Sequence, residues 1–176
     1  MPATDDATLL ELLVLEAAQS GLSWAIVLAK RDGYRDLFHQ FDLDAVAAMT
    51  PADVDRLVLD PRIIRHRGKV EAAIACGQAA VAARDEHGSL HALFHMLVGS
   101  DVRSRGPRSL ADVPSSDAVS LRVSKELKRR GFRFVGPTTC YSFLQAAGFV
   151  NDHVRACHRH DDVARAIGLV HGSTVA

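Results

Sequence analysis

The stretch Ser124–Cys157, SKELKRRGFRFVGPTTCYSFLQAAGFVNDHVRAC, decides the fold because it specifies two helices and the tight turn between them. Basic residues crowd the last turn of the first helix, and Gly131 follows at the position of a left-handed C-cap, so this helix is predicted to end at Arg130. Gly136-Pro137 then places a proline at the first position of a second, apolar-periodic helix. The sequence therefore predicts a helical hairpin with a glycine-bounded turn.

The turn of this hairpin is suited to an anion. The first N–H groups of its second helix have no partner within the helix and carry the positive end of the helix dipole. Lys128, Arg129 and Arg133 add positive charge nearby, and Gly136 has no side chain to block a phosphate. Spacing alone leaves two interpretations open. One is a phosphate site for a polyanion, and the other is an ordinary helical hairpin with a solvated basic end.

Length and composition are those of a folded protein. With 176 residues, 48% of them hydrophobic, we expect residues 1–176 to form a single helical domain with its own core. The 21 basic residues balance the 21 acidic ones, so the net charge does not itself indicate nucleic acid. Local clustering of charge does indicate a surface for nucleic acid, because basic residues gather in the segments 62–69, 103–108 and 125–133.

Cysteine usage and hydropathy predict a cytoplasmic protein. Cys76, Cys140 and Cys157 are odd in number and scattered across helical patterns, which argues for a reducing compartment. No run approaches the ~18 to 20 apolar residues of a membrane span. The N-terminus also lacks a basic region followed by an apolar one. We therefore expect no membrane contact.

The first part of the chain predicts two helices around a short break. Residues 4–6 cap a leucine-rich helix whose apolar face is wide enough to require burial, with Glu16 as a late charge. Gly21 breaks this helix. A second helix is predicted from Trp24 to about His39, with a break at Gly33. An alternative interpretation of Glu16 is an exposed residue on the polar side of its helix, without a functional role.

The middle of the chain is also predicted to be helical. Thr50–Asp53 reads as a capping box with a proline, and residues 63–84 as a long alanine-rich helix with a basic start. Basic residues oppose the dipole there, so we expect either a bound anion or a solvated face. Leu90–Val98 is another helix, Gly99–Pro114 a loop, and Ser115-Ser116 the cap of the hairpin's first helix. No segment alternates as a half-buried strand does, so the fold class is all-α.

Three segments in this order resemble the hallmarks of the 3-methyladenine DNA glycosylase I family. They are LVLEAAQSGLSW (13–24), IIRHRGK (63–69) and FVGPTTCYSFLQAAGFVNDH (134–153), and the first departs from the family's LEGxQAGLSW at Ala17 and Ser20. The resemblance extends from Pro2 to about Cys157. It implies a helix-hairpin-helix glycosylase fold, with the hairpin at about residues 117–148. It also implies a DNA repair enzyme that flips 3-methyladenine out of double-stranded alkylated DNA and hydrolyses its N-glycosidic bond.

The resemblance also assigns site residues. It places Glu16 as the catalytic and base-binding carboxylate and Trp24 as the stacking aromatic, a pair that favours a cationic base over neutral adenine. It places the Gly21-Leu22 turn against the DNA, where Leu22 fills the gap left by the flipped base. The family lacks the catalytic aspartate of many helix-hairpin-helix glycosylases. Asp152 is accordingly expected to cap the last helix.

The resemblance implies a zinc site of which this sequence holds half. His153 and Cys157 are spaced to face one way on a helix, and the family's other two ligands lie in an N-terminal segment that this chain lacks. His158 and His160 are near, but on a continuous helix they point away. We therefore expect the chain to bind no stoichiometric zinc and an upstream-extended chain to bind one. Met1 stands where relatives read valine, which places the expected true start upstream.

Two other functions remain open from the sequence. The chain is alternatively a non-catalytic helix-hairpin-helix DNA-binding module or inactive truncated homologue, which keeps the hairpin and has lost part of the pocket. It is alternatively a helical protein-interaction domain whose hairpin is only structural. Release of free methylated base separates the enzyme from the first, and salt-dependent DNA binding separates both from the second. We expect the protein to be monomeric.

Overall fold

The structure, a computed structural model, describes residues 2–99 and 103–171 and is mostly helical. The fold class predicted from the sequence is confirmed, with one addition: two short strands, β1 and β2, pair in parallel. The elements are α1 (Asp6–Gln19), α2 (Trp24–Leu28), α3 (Arg31–Leu37), α4 (Leu43–Ala47), α5 (Pro51–Leu57), α6 (Arg67–His87), α7 (Leu90–Val98), β1 (Arg103–Ser104), α8 (Ala118–Arg129), α9 (Pro137–Ala146), β2 (Val150–Asn151) and α10 (His160–His171), with single 3₁₀ turns at His39–Phe41 and Leu110–Asp112.

Helix α1 runs through the hydrophobic core. Asp5 caps it by accepting a hydrogen bond of 2.8 Å from the N–H of Thr8. Four of its five leucines are almost completely buried, and α6, α7 and α9 pack around it. The wide apolar face seen in the sequence is therefore buried, as expected. Within the described ranges, no helix is long and apolar enough to cross a membrane.

Two predicted helix boundaries are wrong, the first because of a distant contact and the second because a neighbouring residue forms the cap. The break in the second helix falls at Ala29-Lys30, and Gly33 lies inside α3. A Cβ at Gly33 would stand 2.4 Å from the carbonyl oxygen of Arg62, so this glycine permits close packing. The cap of α8 is Asp117, whose carboxylate accepts the N–H three residues on at 2.8 Å, and not Ser115-Ser116.

The basic start of α6 is used inside the protein. The Nζ of Lys69 donates to the carbonyl oxygens of Ala18 and Ser20, both at 2.7 Å, at the end of α1. Arg67 pairs with Asp55 at 2.6 Å. The helix begins only at Arg67, later than the sequence suggested. Lys69 and Arg67 therefore each have partners within the protein, although the side chain of Arg67 remains 54% exposed.

The hairpin predicted from the sequence is formed by α8 and α9. Helix α8 ends at Arg129, and Gly131 adopts φ +93°, a left-handed conformation that favours glycine. Pro137 opens α9 as its first residue. The hydroxyl of Ser124 donates to the carbonyl oxygen of Val135 at 2.6 Å, a fully buried bond that ties the turn to α8. The hairpin's shape is therefore fixed by local signals and one crossing hydrogen bond.

Helix α10 closes the chain beside the strand pair. Its buried residues include Ile167 and His171, and the ring of His171 lies 4.6 Å from that of Phe149 and 5.4 Å from that of His91. Burial, together with the neighbouring His91 and His95, lowers the pKa of His171 to about 4. Helix α10 is thus packed as part of the core.

Candidate active site

An open cleft of about 460 Å³ lies where α1 ends. Three segments meet there: the last turn of α1, the start of α2 and one face of α9. Because α1 and α9 pack directly against each other, residues far apart in the sequence share this cleft. The lining side chains are Glu16, Gln19, Trp24, Ser142, Gln145 and Ala146.

Glu16 is a buried carboxylate without a partner among the residues that the structure describes. The residue is 5% exposed, and no described residue donates a hydrogen bond or an ion pair to it. Desolvation by burial raises its pKa to about 7. The interpretation of Glu16 as a surface residue is therefore wrong. A carboxylate kept in this condition beside a cleft is typical of functional sites.

Glu11, on the same helix, is a buried carboxylate whose charge is neutralised by two arginines. It is also 5% exposed, yet it accepts hydrogen bonds from the Nε of Arg31 at 2.7 Å and the Nε of Arg35 at 2.8 Å. Burial alone would raise the pKa of Glu11, but these two bonds outweigh it and the net shift is downward. Equal burial thus has opposite consequences, because only Glu16 faces the cleft without a cation.

Trp24 forms the aromatic side of the cleft. It is the first residue of α2 and remains 37% exposed, so its ring is accessible to a ligand. An aromatic face and an unpaired carboxylate together attract a flat cation, through cation–π attraction on one side and a charge-assisted hydrogen bond on the other. The structure therefore brings together the two residues that the sequence assigned to base recognition.

Three polar residues of the cleft were not identified from the sequence. Gln19 donates through Nε2 to the carbonyl oxygen of Leu22 at 2.7 Å, and Gln145 donates through Nε2 to Asp152 at 2.9 Å. Ser142 stands one turn before Gln145 on α9. The available signal was this pair of polar residues at a helical spacing of three within an apolar helix. Its link to α1 depends on tertiary packing and is invisible in the sequence.

Asp152 does not cap a helix, contrary to the sequence prediction. It follows β2, and its Oδ2 accepts from the hydroxyl of Tyr141 and from Gln145. Desolvation and this hydrogen bond raise the pKa of Tyr141. Its other oxygen, Oδ1, is buried without a hydrogen-bond partner among the described residues. Asp152 is not among the lining residues of the cleft with Glu16, but it is hydrogen-bonded to Gln145, which is.

The Gly21-Leu22 turn borders the cleft. Gly21 is exposed with φ +77°, and the N–H of Leu22 donates to the carbonyl oxygen of Gln19 at 2.7 Å. In the sequence this turn lies between Gln19 and Trp24, two residues that line the cleft.

The proposed metal ligands lie in a different cleft, of about 580 Å³. His153 and Cys157 are in a turn before α10, not on a helix as predicted, yet Nδ1 and Sγ are 3.4 Å apart. Two ligands of one tetrahedral zinc stand roughly 3.5 Å apart, so the pair fits half a site. His160 is engaged by Asp161 at 2.9 Å, and the described residues contain no group of three or more possible ligands.

The predicted DNA-contacting cations lie on the hairpin, away from the cleft. Lys128, Arg129 and Arg133 are all exposed. Arg129 pairs with Glu126 at 2.6 Å, which neutralises part of its charge. No side chain caps the N-terminus of α9, and a Cβ built at Gly136 meets nothing within 4 Å. The turn is therefore open to a large anion.

Comparison with known proteins identifies relatives of one kind. The family model described as methyladenine glycosylase matches residues 1–160, which leaves nearly all of α10 outside the match. DNA-3-methyladenine glycosylase 1 of Escherichia coli (strain K12) is 46% identical over 157 residues, 89% of this chain and 84% of that protein.

Solved structures agree with that comparison. A crystal structure of 3-methyladenine DNA glycosylase I is 44% identical, with a TM-score of 0.86 over 90% of this chain and 87% of the other. The 3-methyladenine DNA glycosylase I of Staphylococcus aureus, solved to explain 3-methyladenine recognition, is 35% identical, with a TM-score of 0.86 over 90% of this chain and 84% of the other.

Replacing Glu16 with glutamine should stabilise the protein above neutral pH. The folded pKa of this carboxyl is raised to about 7, so ionising it costs stability as the pH rises from its unfolded pKa through that value. Glu16→Gln should gain about 2 kcal/mol at about pH 8 and almost nothing at about pH 4. Thermal unfolding at the two pH values is the measurement.

Glu11→Gln is the matched control and should act in the opposite direction. The lowered pKa of Glu11 means that its carboxylate stabilises the fold above its unfolded pKa and loses that contribution as the pH falls through the folded value. We expect a loss of about 1 to 2 kcal/mol at about pH 8, since the two arginines are partly screened by solvent. Destabilisation by Glu16→Gln at high pH would show that Glu16 has a partner.

Proposed function

Because the chain belongs to the methyladenine glycosylase family, we infer that it is an enzyme that releases 3-methyladenine from alkylated DNA by hydrolysing the N-glycosidic bond. The observation that carries this inference is the unpaired, buried Glu16 beside the exposed ring of Trp24. A DNA-binding module without catalysis would not need such a pocket, and burying the unpaired carboxylate costs stability.

The reaction suits a site of this kind. The glycosidic bond to a 3-methylated adenine is weak because the base is already cationic, so the enzyme need not protonate the leaving group. Recognition supplies the selectivity: the cationic base stacks on Trp24 and the ionised Glu16 accepts a hydrogen bond from it. Burial raises the pKa of Glu16 to about 7, and a cationic base bound beside it would favour the ionised carboxylate. Neutral adenine lacks the positive charge that strengthens both the stacking on Trp24 and the hydrogen bond to Glu16.

The base has to leave the DNA stack to reach the cleft. Extrusion costs a few kcal/mol, and less for a damaged base. We propose that Leu22, at the rim of the cleft, enters the space that the flipped base vacates. Gly21 beside it is exposed and has no side chain, so the backbone can lie close to the DNA. This role assigns the turn before α2 to the DNA interface.

The hairpin of α8 and α9 is proposed to hold the DNA backbone as a helix-hairpin-helix element. Lys128 and Arg133 provide exposed charge at its turn, and the open N-terminus of α9 offers N–H groups to a phosphate. The ring of Phe134 meets that of His66 at 6.5 Å, which brings the start of α6 beside the hairpin. The two basic segments therefore support one continuous phosphate-binding surface.

The proposed partner is double-stranded DNA, bound by a monomer in the cytoplasm. A hairpin that grips the backbone and a rim residue that fills a vacated stack both require a duplex. Three free cysteines, two of them buried, suit a reducing compartment. The hairpin and Leu22 thus support a duplex partner, and the free cysteines support a reducing compartment.

The family implies a structural zinc ion, for which His153 and Cys157 are the candidate ligands here. When bound, such an ion would cross-link the chain and stabilise the folded state. The 3.4 Å separation suits two of four ligands, but His160 is held by Asp161. We propose that the chain as printed does not hold zinc stoichiometrically, because structural zinc sites are closed by four ligands.

Base release is the test of the proposed enzyme. Wild-type protein should release free 3-methyladenine from methylated duplex DNA. Glu16→Gln should lose about ten- to a hundredfold in rate, the value of a charge-assisted hydrogen bond, with unchanged affinity for undamaged duplex. The wild-type kcat/KM should rise as the pH passes through about 7, because the ionised carboxylate is the active form.

A surface substitution provides the control for this assay. Asp32→Asn removes a carboxylate that is 97% exposed on α3 and should leave base release unchanged. Equal losses by Glu16→Gln on damaged and undamaged DNA would make Glu16 structural. DNA binding without any base release by the wild type would favour a non-catalytic module.

Salt dependence tests the hairpin surface. Lys128→Ala and Arg133→Ala should each weaken binding to all sequences alike and flatten the slope of log affinity against log salt by ~0.9. Arg129→Ala should do less, since Glu126 already pairs with it. Gly136→Val should weaken binding more than any single charge loss, because its side chain occupies the space that a phosphate needs.

Arg165→Ala serves as the control for these variants. Arg165 is 70% exposed and pairs with Asp162 on α10, remote in sequence from the hairpin. Its removal should leave the slope unchanged. If the hairpin variants also left it unchanged, the phosphate-binding surface would lie elsewhere.

Elemental analysis tests the zinc proposal. The 176-residue chain, purified without chelator and dialysed, should contain far less than one zinc per molecule, and Cys157 should react as a free thiol. One zinc per chain would contradict the proposal and would mean that the two missing ligands come from elsewhere in the chain, with His158 and His160 the nearest candidates. Substituting each of these histidines would then show whether it is a ligand.

A further inference from the structure

We propose that three histidines, His91 and His95 of α7 and His171 of α10, hold the end of α10 in place while their rings are uncharged and release it in mildly acidic solution. These three residues are called the histidine cluster below. None of them lines the cleft with Glu16, so the inference does not rest on the proposed enzyme function. It adds a conformational response to pH in a helix of which nearly all lies outside the residues matched by the family model.

The rings of the histidine cluster lie close together beside the ring of Phe149. The ring centroid of His171 is 5.4 Å from that of His91 and 5.7 Å from that of His95, and the two rings on α7 are 6.1 Å apart. The ring of Phe149 stands 4.6 Å from that of His171. The ring planes of His171 and His91 differ by only 17°, so these two rings stack. The end of α10 is therefore attached to α7 through ring contacts.

Ring nitrogens of the histidine cluster are buried without hydrogen-bond partners among the described residues. Both nitrogens of His171 and the Nε2 of His91 are in this condition. An uncharged imidazole has one donor and one acceptor, whereas a protonated imidazole has two donors. Protonation would therefore add a charge and a second unpaired donor to a buried ring. The same ring in the detached helix is solvated by water and does not bear this cost.

The surroundings of the histidine cluster disfavour protonation. Burial, with His91 and His95, lowers the pKa of His171 to about 4, although the backbone of Gly148 and a place in the last turn of α10 favour the charged ring. Burial and His95 also lower the pKa of His91, and the carboxylate of Asp6, at the start of α1, offsets this only in part. The attached state is therefore the state with uncharged rings.

The first turn of α10 is held by a hydrogen bond without a titrating group. The Nδ2 of Asn151, in β2, donates to the carbonyl oxygen of His160 at 3.0 Å. Further along the helix, Ile167 is almost completely buried. Loss of the contacts in the histidine cluster would therefore free the last turns of α10 and expose Ile167, while β2 keeps the first turn in place.

The direction of the pH effect follows from the lowered pKa of His171. In the detached state this ring titrates near its ordinary pKa of 6.5, and in the attached state near 4. The contribution of the uncharged ring to attachment is fully present above the ordinary pKa and is lost as the pH falls toward the lower value. From these two values, the equilibrium constant for detachment should be about thirtyfold higher at about pH 5 than at about pH 8.

Hydrogen exchange of the α10 amides in the 176-residue protein measures this constant. The observed exchange rate divided by the intrinsic rate of the unfolded peptide gives the opening constant at each pH. Wild-type residues 164–171 should show the rise of about thirtyfold between about pH 8 and about pH 5. Amides of α6 should stay more protected than those of α10 at both pH values, because detachment leaves the rest of the core intact.

His171→Phe tests the histidine cluster directly. This variant keeps an aromatic ring beside Phe149 but cannot be protonated, so the rise of its opening constant should be about thirtyfold smaller than that of the wild type. His39→Asn is the matched control. It removes an exposed histidine from the turn after α3, and asparagine tolerates the positive φ of 53° found there. This control should respond to pH as the wild type does.

Three results would overturn the proposal. The first is a wild-type opening constant of α10 that is equal at the two pH values. The second is a rise in His171→Phe as large as in the wild type, which would assign the effect to other groups. If His171→Phe does not fold, His91→Phe takes its place, since it also removes a buried, titrating ring of the cluster. The third is an equal loss of protection in α6 and α10, which would show that acid unfolds the whole domain.

Discussion

The candidate site depends on a buried carboxylate to which no described residue supplies a counter-charge. Helix α1 carries two glutamates at the same 5% exposure, and the protein neutralises Glu11 with two arginines while leaving Glu16 to the cleft. Burial of an unpaired charge is tolerated only where the surrounding structure is fixed firmly enough to hold it. In this fold α6, α7 and α9 enclose α1 and supply that support.

At the end of α1, hydrogen bonds from neighbouring residues fix the backbone that forms the candidate site. Lys69, from the first turn of α6, binds the carbonyl oxygens of Ala18 and Ser20, and thereby satisfies the last turn of α1. Gln19 binds the carbonyl of Leu22 across the break. The chain can therefore leave α1, turn, and start α2 at Trp24 with little freedom. The relative position of carboxylate and indole is set by these contacts, a requirement for recognising a base by shape and charge.

The parts of the fold that the sequence predicted are those with local causes. The turn at Gly131, the start of α9 at Pro137 and the capping box at Thr50 each rest on residues within a few positions. The errors have distant causes: the carbonyl of Arg62 fits against Gly33, and Tyr141 binds Asp152. The residues of the cleft likewise fall into those that one local motif identifies and those that only tertiary packing brings there.

Glu16 and Trp24 were identifiable because one continuous motif contains both. Gln145 was not, because only the packing of α9 on α1 brings it there. His153 and Cys157 were singled out by their spacing together with the family resemblance, and their side chains do lie 3.4 Å apart. The segment that carries them forms a turn where a helix was expected.

The exposed position of Trp24 has an optical consequence. It is the chain's only tryptophan, and it stands at the mouth of the cleft with 37% of its surface exposed. The intrinsic indole fluorescence of the protein therefore originates from a single ring at the proposed base-binding position. A purine stacked on that ring would quench its emission and displace its water. The native protein thus carries its own reporter of cleft occupancy and needs no added label.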